Sequence, residues 1–157
     1  MLEIERKFLV KNTHFKREAT AVNHIIQGFL NTHPNRTVRV RLVNNQATLT
    51  VKGLSNTSGT TRFEWETHIN YEDAKKLLAL CEPGIIEKKR YLLKVDTHLF
   101  EVDEFLKENK GLIIAEVELT SEHETFPKPE WLGEEVTGNA TYYNSNLSKN
   151  PFKNWKR

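Results

Sequence analysis

Polar and apolar positions alternate with a period of two through most of this chain, placing charged side chains on one face of successive runs. In the first strand, Glu3-Ile4-Glu5-Arg6-Lys7, the row Glu3, Glu5 and Lys7 stands opposite Leu2, Ile4, Phe8 and Val10. Asn23 to Asn31 predicts a second strand, within which Gly28 signals a bulge or a close backbone approach. In a third strand, Thr37 to Val43, Arg39 and Arg41 oppose Val38, Val40 and Leu42. A fourth, Ala47 to Lys52, sets Thr48, Thr50 and Lys52 against Ala47, Leu49 and Val51. The small polar loop from Gly53 to Gly59 precedes the clearest alternation, Arg62, Glu64, Glu66 and His68 against Phe63, Trp65, Thr67 and Ile69.

The later strands continue the pattern. Over Ile85 to Leu93, Lys88 and Arg90 share a row with Ile86 and Leu92 while Glu87 and Lys89 occupy the other, so the pattern does not fix its facing. Thr97 to Phe105 aligns Glu101 and Asp103 against Phe100 and Val102, and Leu112 to Thr120 aligns Ile114, Glu116 and Glu118 against Ile113, Ala115, Val117 and Leu119. One helix is expected over Tyr71 to Cys81, with Ala74, Leu77, Leu78 and Cys81 at helical spacing, a start at Asn70 and Asp73, and a stop at Pro83-Gly84. Lys11 to Val22 reads as a loop or short helix, Glu130 to Leu132 as a short helical turn, and Asn139 to Ser148 as a helix before Pro151.

Together the charged rows hold eight acids (Glu3, Glu5, Glu64, Glu66, Glu101, Asp103, Glu116, Glu118) and seven bases (Lys7, Arg39, Arg41, Lys52, Arg62, Lys88, Arg90), one net negative charge. Fifteen charges cannot share a dry core, because each unpaired buried ion costs several kcal/mol. The rows therefore predict the wet inner wall of a closed α+β structure: an eight-stranded β-barrel about wide enough for one small ligand, with helices packed outside. Carboxylates two apart on a strand lie roughly 6.5 to 7 Å apart and suit hard divalent cations, while arginine and lysine suit phosphate oxygens. A triphosphate carries about −4 to −5 near neutral pH and would be repelled by this wall; two divalent cations would bring the wall to about +3. Metal is thus expected to be required for binding.

Composition narrows the class. At 157 residues, 38% hydrophobic and 28% charged, the chain fits one domain over residues 1–157. No apolar run approaches the roughly 18 residues of a membrane span, and the acidic start differs from a basic, then apolar, secretory leader, so no membrane partner and a cytoplasmic location are expected. The lone Cys81 excludes an internal disulfide or cysteine metal site. The 23 basic and 21 acidic residues interleave rather than forming a basic stripe, which argues against a nucleic-acid partner.

The ordered series Glu3-Ile4-Glu5-Arg6-Lys7, Gln27-Gly28-Phe29-Leu30, Arg39-Val40-Arg41, Thr50-Val51-Lys52-Gly53, Arg62-Phe63-Glu64-Trp65-Glu66, Glu87-Lys88-Lys89-Arg90-Tyr91, Glu101-Val102-Asp103, Glu116-Val117-Glu118, Glu135-Val136-Thr137 and Tyr142-Tyr143-Asn144 resembles the CYTH superfamily of triphosphate tunnel metalloenzymes, short bacterial type. The resemblance implies an eight-stranded antiparallel β-barrel tunnel, open or plugged at one end by a C-terminal helix, that acts on a small triphosphate with Mg²⁺ or Mn²⁺. Phe29 departs from the tyrosine that often follows Gln-Gly in related sequences.

On this reading Glu3, Glu5, Glu116 and Glu118 hold metal, and Lys7, Arg39, Arg41, Lys52, Arg62, Lys88 and Arg90 grip phosphate. Glu5, Lys7, Glu64, Glu66 and Asp103 carry the catalytic work, with a second cation near Glu64, Glu66 or Asp103 polarising the attacking water. Hydrolysis of inorganic triphosphate or a related small triphosphate leads. A class IV type adenylyl cyclase or a non-catalytic polyphosphate- or nucleotide-binding module are the alternatives, and a monomer or homodimer fits either.

Overall fold

The computed structural model describes residues 1–156, which form nine strands and three α-helices. The strands are β1 (Leu2–Val10), β2 (Ala21–Asn31), β3 (Arg36–Val43), β4 (Gln46–Gly53), β5 (Thr61–Ile69), β6 (Ile86–Val95), β7 (His98–Phe105), β8 (Ile113–Glu118) and β9 (Leu132–Glu135). The helices are α1 (Phe15–Glu18), α2 (Tyr71–Ala79) and α3 (Asn144–Lys149). The order β5-β4-β3-β2-β6-β7-β8-β1 closes on itself through a further β5–β1 pairing, giving the eight-stranded barrel, and every pairing is antiparallel. The closing seam is short: Leu2, Glu3 and Ile4 face Phe63, Arg62 and Thr61. Flanking backbone bonds, Glu64 N to Met1 O and Glu5 N to Thr60 O, both 3.0 Å, extend it.

Alternation places two cores outside the wall. Phe8, Tyr91, Leu93, Phe100, Val102, Ala115 and Val117, from the outer rows of β1, β6, β7 and β8, pack against Phe15 of α1 and against Trp131 and Leu132. On β3 and β4, Val40, Leu42 and Ala47 meet Ala74 of α2. Asn70 caps α2 by accepting a bond from Asp73 N at 3.0 Å. Gly28 allows the segment that follows this helix to press on β2: a Cβ there would lie 2.6 Å from Ile85 Cδ1 and 3.0 Å from Cys81. The β2–β3 register also shifts between Phe29 and Asn31, so both the close approach and the bulge expected of this strand occur.

A third cluster lies at one end of the barrel interior. Phe29, Ile86, Phe105, Leu112 and Ile114 form an apolar floor that receives Leu147 of α3. This resolves the facing of β6, because Ile86 belongs to the floor and Lys88 and Arg90, on the same row, continue into the polar interior.

Two local expectations are met only in part. Residues 129–132 close one hydrogen-bonded turn, Leu132 N to Pro129 O at 3.0 Å, but no helix follows; Leu132 begins β9, which pairs with β1 through Phe8↔Glu135 and Val10↔Leu132. Four residues with one buried side chain carry too little alternation to announce a strand, and Gly133 is needed because a Cβ there would lie 2.9 Å from Leu9 O. The helix over 139–148 is broken into a 3₁₀ turn, Ala140–Tyr142, and α3, with extended Tyr143 between them (φ −70, ψ 137). That extended residue turns its ring into the barrel, over Lys7 Nζ at 5.2 Å and the Arg62 guanidinium at 5.8 Å.

Candidate active site

All seven predicted bases and seven of the eight predicted acids line one cavity of about 290 Å³. The strands deliver them as the period of two requires: Glu3, Glu5 and Lys7 from β1, Arg39 and Arg41 from β3, Lys52 from β4, Arg62, Glu64 and Glu66 from β5, Lys88 and Arg90 from β6, Glu101 from β7, and Glu116 and Glu118 from β8. Asp103 is the exception. It is 2% exposed and lies outside the lining, with Oδ1 and Oδ2 bound by Arg90 Nε and Nη2 at 2.7 and 2.9 Å and Oδ2 also by Lys88 Nζ at 2.7 Å. Its oxygens are committed to two cations, which makes it a strut behind the wall.

The remaining pairs divide the wall. Glu3 accepts both bonds of Lys52 Nζ, at 2.8 and 3.0 Å, and lies 3.6 Å from Arg62 Nε. Lys52 also reaches Glu64 at 3.1 Å. Lys7 lies 3.5 Å from Glu116, and Arg90 is 3.3 Å from Glu101. Glu66 accepts the Thr50 hydroxyl at 2.6 Å and sits 3.6 Å from Arg39; with Glu118 it forms the exposed rim.

Two arginines are less compensated. Among the described residues Arg39 Nε is buried without a hydrogen-bond partner. Arg41 makes no ion pair among the described residues; its Nε donates to the neutral Gln27 carbonyl at 2.8 Å. Burial, then Arg39 and Arg90, push Arg41 well below the usual arginine value. Burial likewise lowers Lys88 to about 7 against the opposing pull of Asp103, with Arg90 and Arg41 adding to the fall. Buried guanidinium donors with unfilled valence suit an anion with several oxygens.

The carboxylates show the converse. Burial, then Glu116 and Glu3, hold Glu5 well above the ordinary carboxylate range. Burial acts to raise Glu116 too, but Lys7 and then Arg90 overcome it and hold that group well below the range. Among the described residues Glu5 has no cation in direct contact, and it stands beside the ionised Glu116, an arrangement that a hard divalent cation would relieve. The donor set fits such an ion in a particular way. Among the described residues no group of three or more histidine, cysteine, aspartate or glutamate side chains forms a ready cage. Glu5 and Glu116 would hold an ion as a pair, leaving the other positions to water and phosphate oxygens as Mg²⁺ commonly requires. Of the other expected ligands, Glu3 is occupied by Lys52 and Arg62, and Glu118, directly across from Glu5 in the β1–β8 register, stands at the exposed rim.

Sequence reasoning assigned no site role to Gln27, Thr37, Thr50, Tyr143, Asn144 or Ser145. Gln27 is fully buried, and the others line the cavity. Gln27 lies two residues before Phe29 on the inner row, which could have marked it; the last three enter from α3 and its approach, which no strand period can indicate. Phe29 faces inward at the floor, so a hydroxyl is replaced there by apolar packing.

The model of the CYTH domain matches residues 1–151. The chain belongs to the CYTH family. Among CYTH proteins, an inorganic triphosphatase of Acetivibrio thermocellus is 47% identical over 155 residues, 98% of this chain and 97% of the relative. One of Nitrosomonas europaea is 38% identical over 151 residues, 94% and 97% of the two chains. The crystal structure of an inorganic triphosphatase superposes on this CYTH chain with a TM-score of 0.67 at 32% identity, covering 93% of this chain and 97% of the other. Among the described residues, no helix is long and apolar enough to cross a membrane.

Proposed function

We propose that this chain, acting as one domain, hydrolyses inorganic triphosphate or a closely related small triphosphate with Mg²⁺ or Mn²⁺, releasing orthophosphate. The observation that carries this reading is the convergence of seven bases on one cavity, with Arg39 Nε unpartnered and Arg41 paired only to an amide among the described residues. Inorganic triphosphatases at 47% and 38% identity support the choice of substrate.

Lys7, Arg39, Arg41, Lys52, Arg62, Lys88 and Arg90 bind the phosphate oxygens and fix the chain of phosphorus atoms in line. Glu5 and Glu116, flanked by Glu3 and Glu118, hold the divalent cation, which when bound neutralises phosphate oxygens and polarises an attacking water. Glu64 and Glu66, on the neighbouring strand β5, act as counter-ions that keep Lys52 and Arg39 directed inward. No covalent enzyme intermediate is needed, because phosphoryl transfer relies on positioning and charge.

The test is a parallel incubation with tripolyphosphate, ATP and thiamine triphosphate in Mg²⁺ or Mn²⁺, with EDTA controls. Orthophosphate release from tripolyphosphate, lost on chelation and restored by metal, is expected. Pyrophosphate with cyclic AMP from ATP, binding without turnover, or full turnover in metal-stripped protein overturns the reading.

A further inference from the structure

One carbonyl oxygen joins the C-terminal helix to the cationic wall. Asn144 Oδ1 accepts from Lys88 Nζ at 2.9 Å and from Gln27 Nε2 at 2.9 Å, and Gln27 Oε1 accepts from Arg41 Nε at 2.8 Å. Both amide orientations follow from the cations. An ammonium and a guanidinium have only donors to offer, so each must face an amide oxygen, and Gln27 is left with its NH₂ group for Asn144. Lys88 is 1% exposed and Gln27 fully buried, so neither group can exchange these bonds for bulk water.

The helix that supplies Asn144 is itself fixed. Leu147 is buried in the apolar floor, Ser148 Oγ donates to Asn144 O at 3.2 Å, and Gly84 (φ +100) lies so close to Ser148 that a Cβ there would strike its carbonyl. A neutral oxygen also has an advantage over a carboxylate at this place. It aims Lys88 and Arg41 without cancelling charge that the substrate would use; the charge on this side already comes from Asp103, behind the wall.

We propose that Asn144 is a positioning residue: from the plugging helix it sets Lys88 directly, and Arg41 through Gln27, in the geometry that receives one end of the phosphate chain. This rests on the triphosphatase reading and deepens it, making the C-terminal segment part of substrate recognition and not a passive stopper.

The experiment is steady-state orthophosphate release from tripolyphosphate at saturating Mg²⁺, with thermal melts, for Asn144→Ala, Gln27→Leu, the double variant, Asn144→Asp and Lys149→Ala. Losing a bond that orients a buried cation should raise KM at least about fivefold in each of the first two, with kcat changed far less. Because both act on one chain of bonds, the double variant should be little worse than the worse single. Lys149→Ala, exposed on the same helix, should match wild type.

Asn144→Asp guards against misfolding, since it keeps the shape. Its carboxylate pairs with Lys88, so the melting temperature should hold or rise while KM still increases at least about fivefold. A purely structural role would lower the melting temperature in Asn144→Ala and leave KM unchanged. Wild-type KM in Asn144→Asp, or effects of Gln27→Leu and Asn144→Ala that multiply in the double variant, overturn the proposal. Wild-type protein that binds tripolyphosphate without hydrolysing it refutes the triphosphatase reading instead, and the same variants are then compared by Kd.

Discussion

Replacing Asp103 by asparagine separates a strut from a catalytic group. Asp103 is buried between Arg90, which binds both of its oxygens, and Lys88. Removing one partner of a buried ion pair leaves an uncompensated charge and costs about 3–5 kcal/mol. The two cations would respond differently. Lys88, already lowered to about 7, can release its proton near neutral pH at little further cost. Arg90 cannot, and Asp103 holds it above even the usual arginine value against the opposing effect of burial, so its loss dominates.

We therefore expect about 3–4 kcal/mol of destabilisation. For a chain of this length, at roughly 3 °C per kcal/mol, that is about 9–12 °C in melting temperature. The loss should be smallest near pH 8 and grow as pH falls below about 7, where Lys88 is charged in the wild type and keeping it neutral in the variant costs more; it disappears only on the acid limb, because the folded-state pKa of Asp103 is depressed and its stabilisation is lost only as pH falls through that low value. Thermal melts of Asp103→Asn and of Glu118→Gln, a rim carboxylate, make the comparison. An Asp103→Asn protein that melts with wild type yet has lost turnover would show that Asp103 works on substrate or metal, and the assignment as a strut would fall.

Two further outcomes are expected. Glu5→Gln should lower turnover at least about tenfold, roughly 1.4 kcal/mol of transition-state stabilisation, while melting at or above the wild-type temperature in EDTA, because it removes a carboxyl that burial, Glu116 and Glu3 make costly to ionise; unfolding with intact folded-state activity would make Glu5 a structural partner instead. The lowered pKa of Lys88 means that its contribution to folding is present above the unfolded value near 10.4 and lost as pH falls through about 7. A bound triphosphate raises that pKa, so binding at pH 8 should take up a proton, and at pH 6, where Lys88 is already charged, much less. Calorimetry in buffers of different ionisation heat measures this, and a binding enthalpy at pH 8 independent of buffer would contradict it.

The inner rows Glu3-Glu5-Lys7, Arg39-Arg41, Arg62-Glu64-Glu66 and Glu116-Glu118 were legible from the sequence because a strand exposes opposite faces at every step, and no apolar core can accept fifteen charges. That same logic yielded the barrel, its outer cores and the polyanion chemistry of its interior. It could not distinguish Asp103 from Glu101, two residues apart on one row. Only the packed wall shows Arg90 and Lys88 enclosing the first and leaving the second on the cavity. Nor could it read β9 or the break at Tyr143. In these stretches the conformation answers to partners distant in the chain: Leu9 O above Gly133, and Lys7 and Arg62 beneath the Tyr143 ring. Local periodicity determined which faces carry charge. Which charges neutralise each other, and which are left to meet a ligand, was decided by cross-barrel distances, because Coulomb and hydrogen-bond energies depend on separations in space that sequence spacing does not encode beyond a single strand.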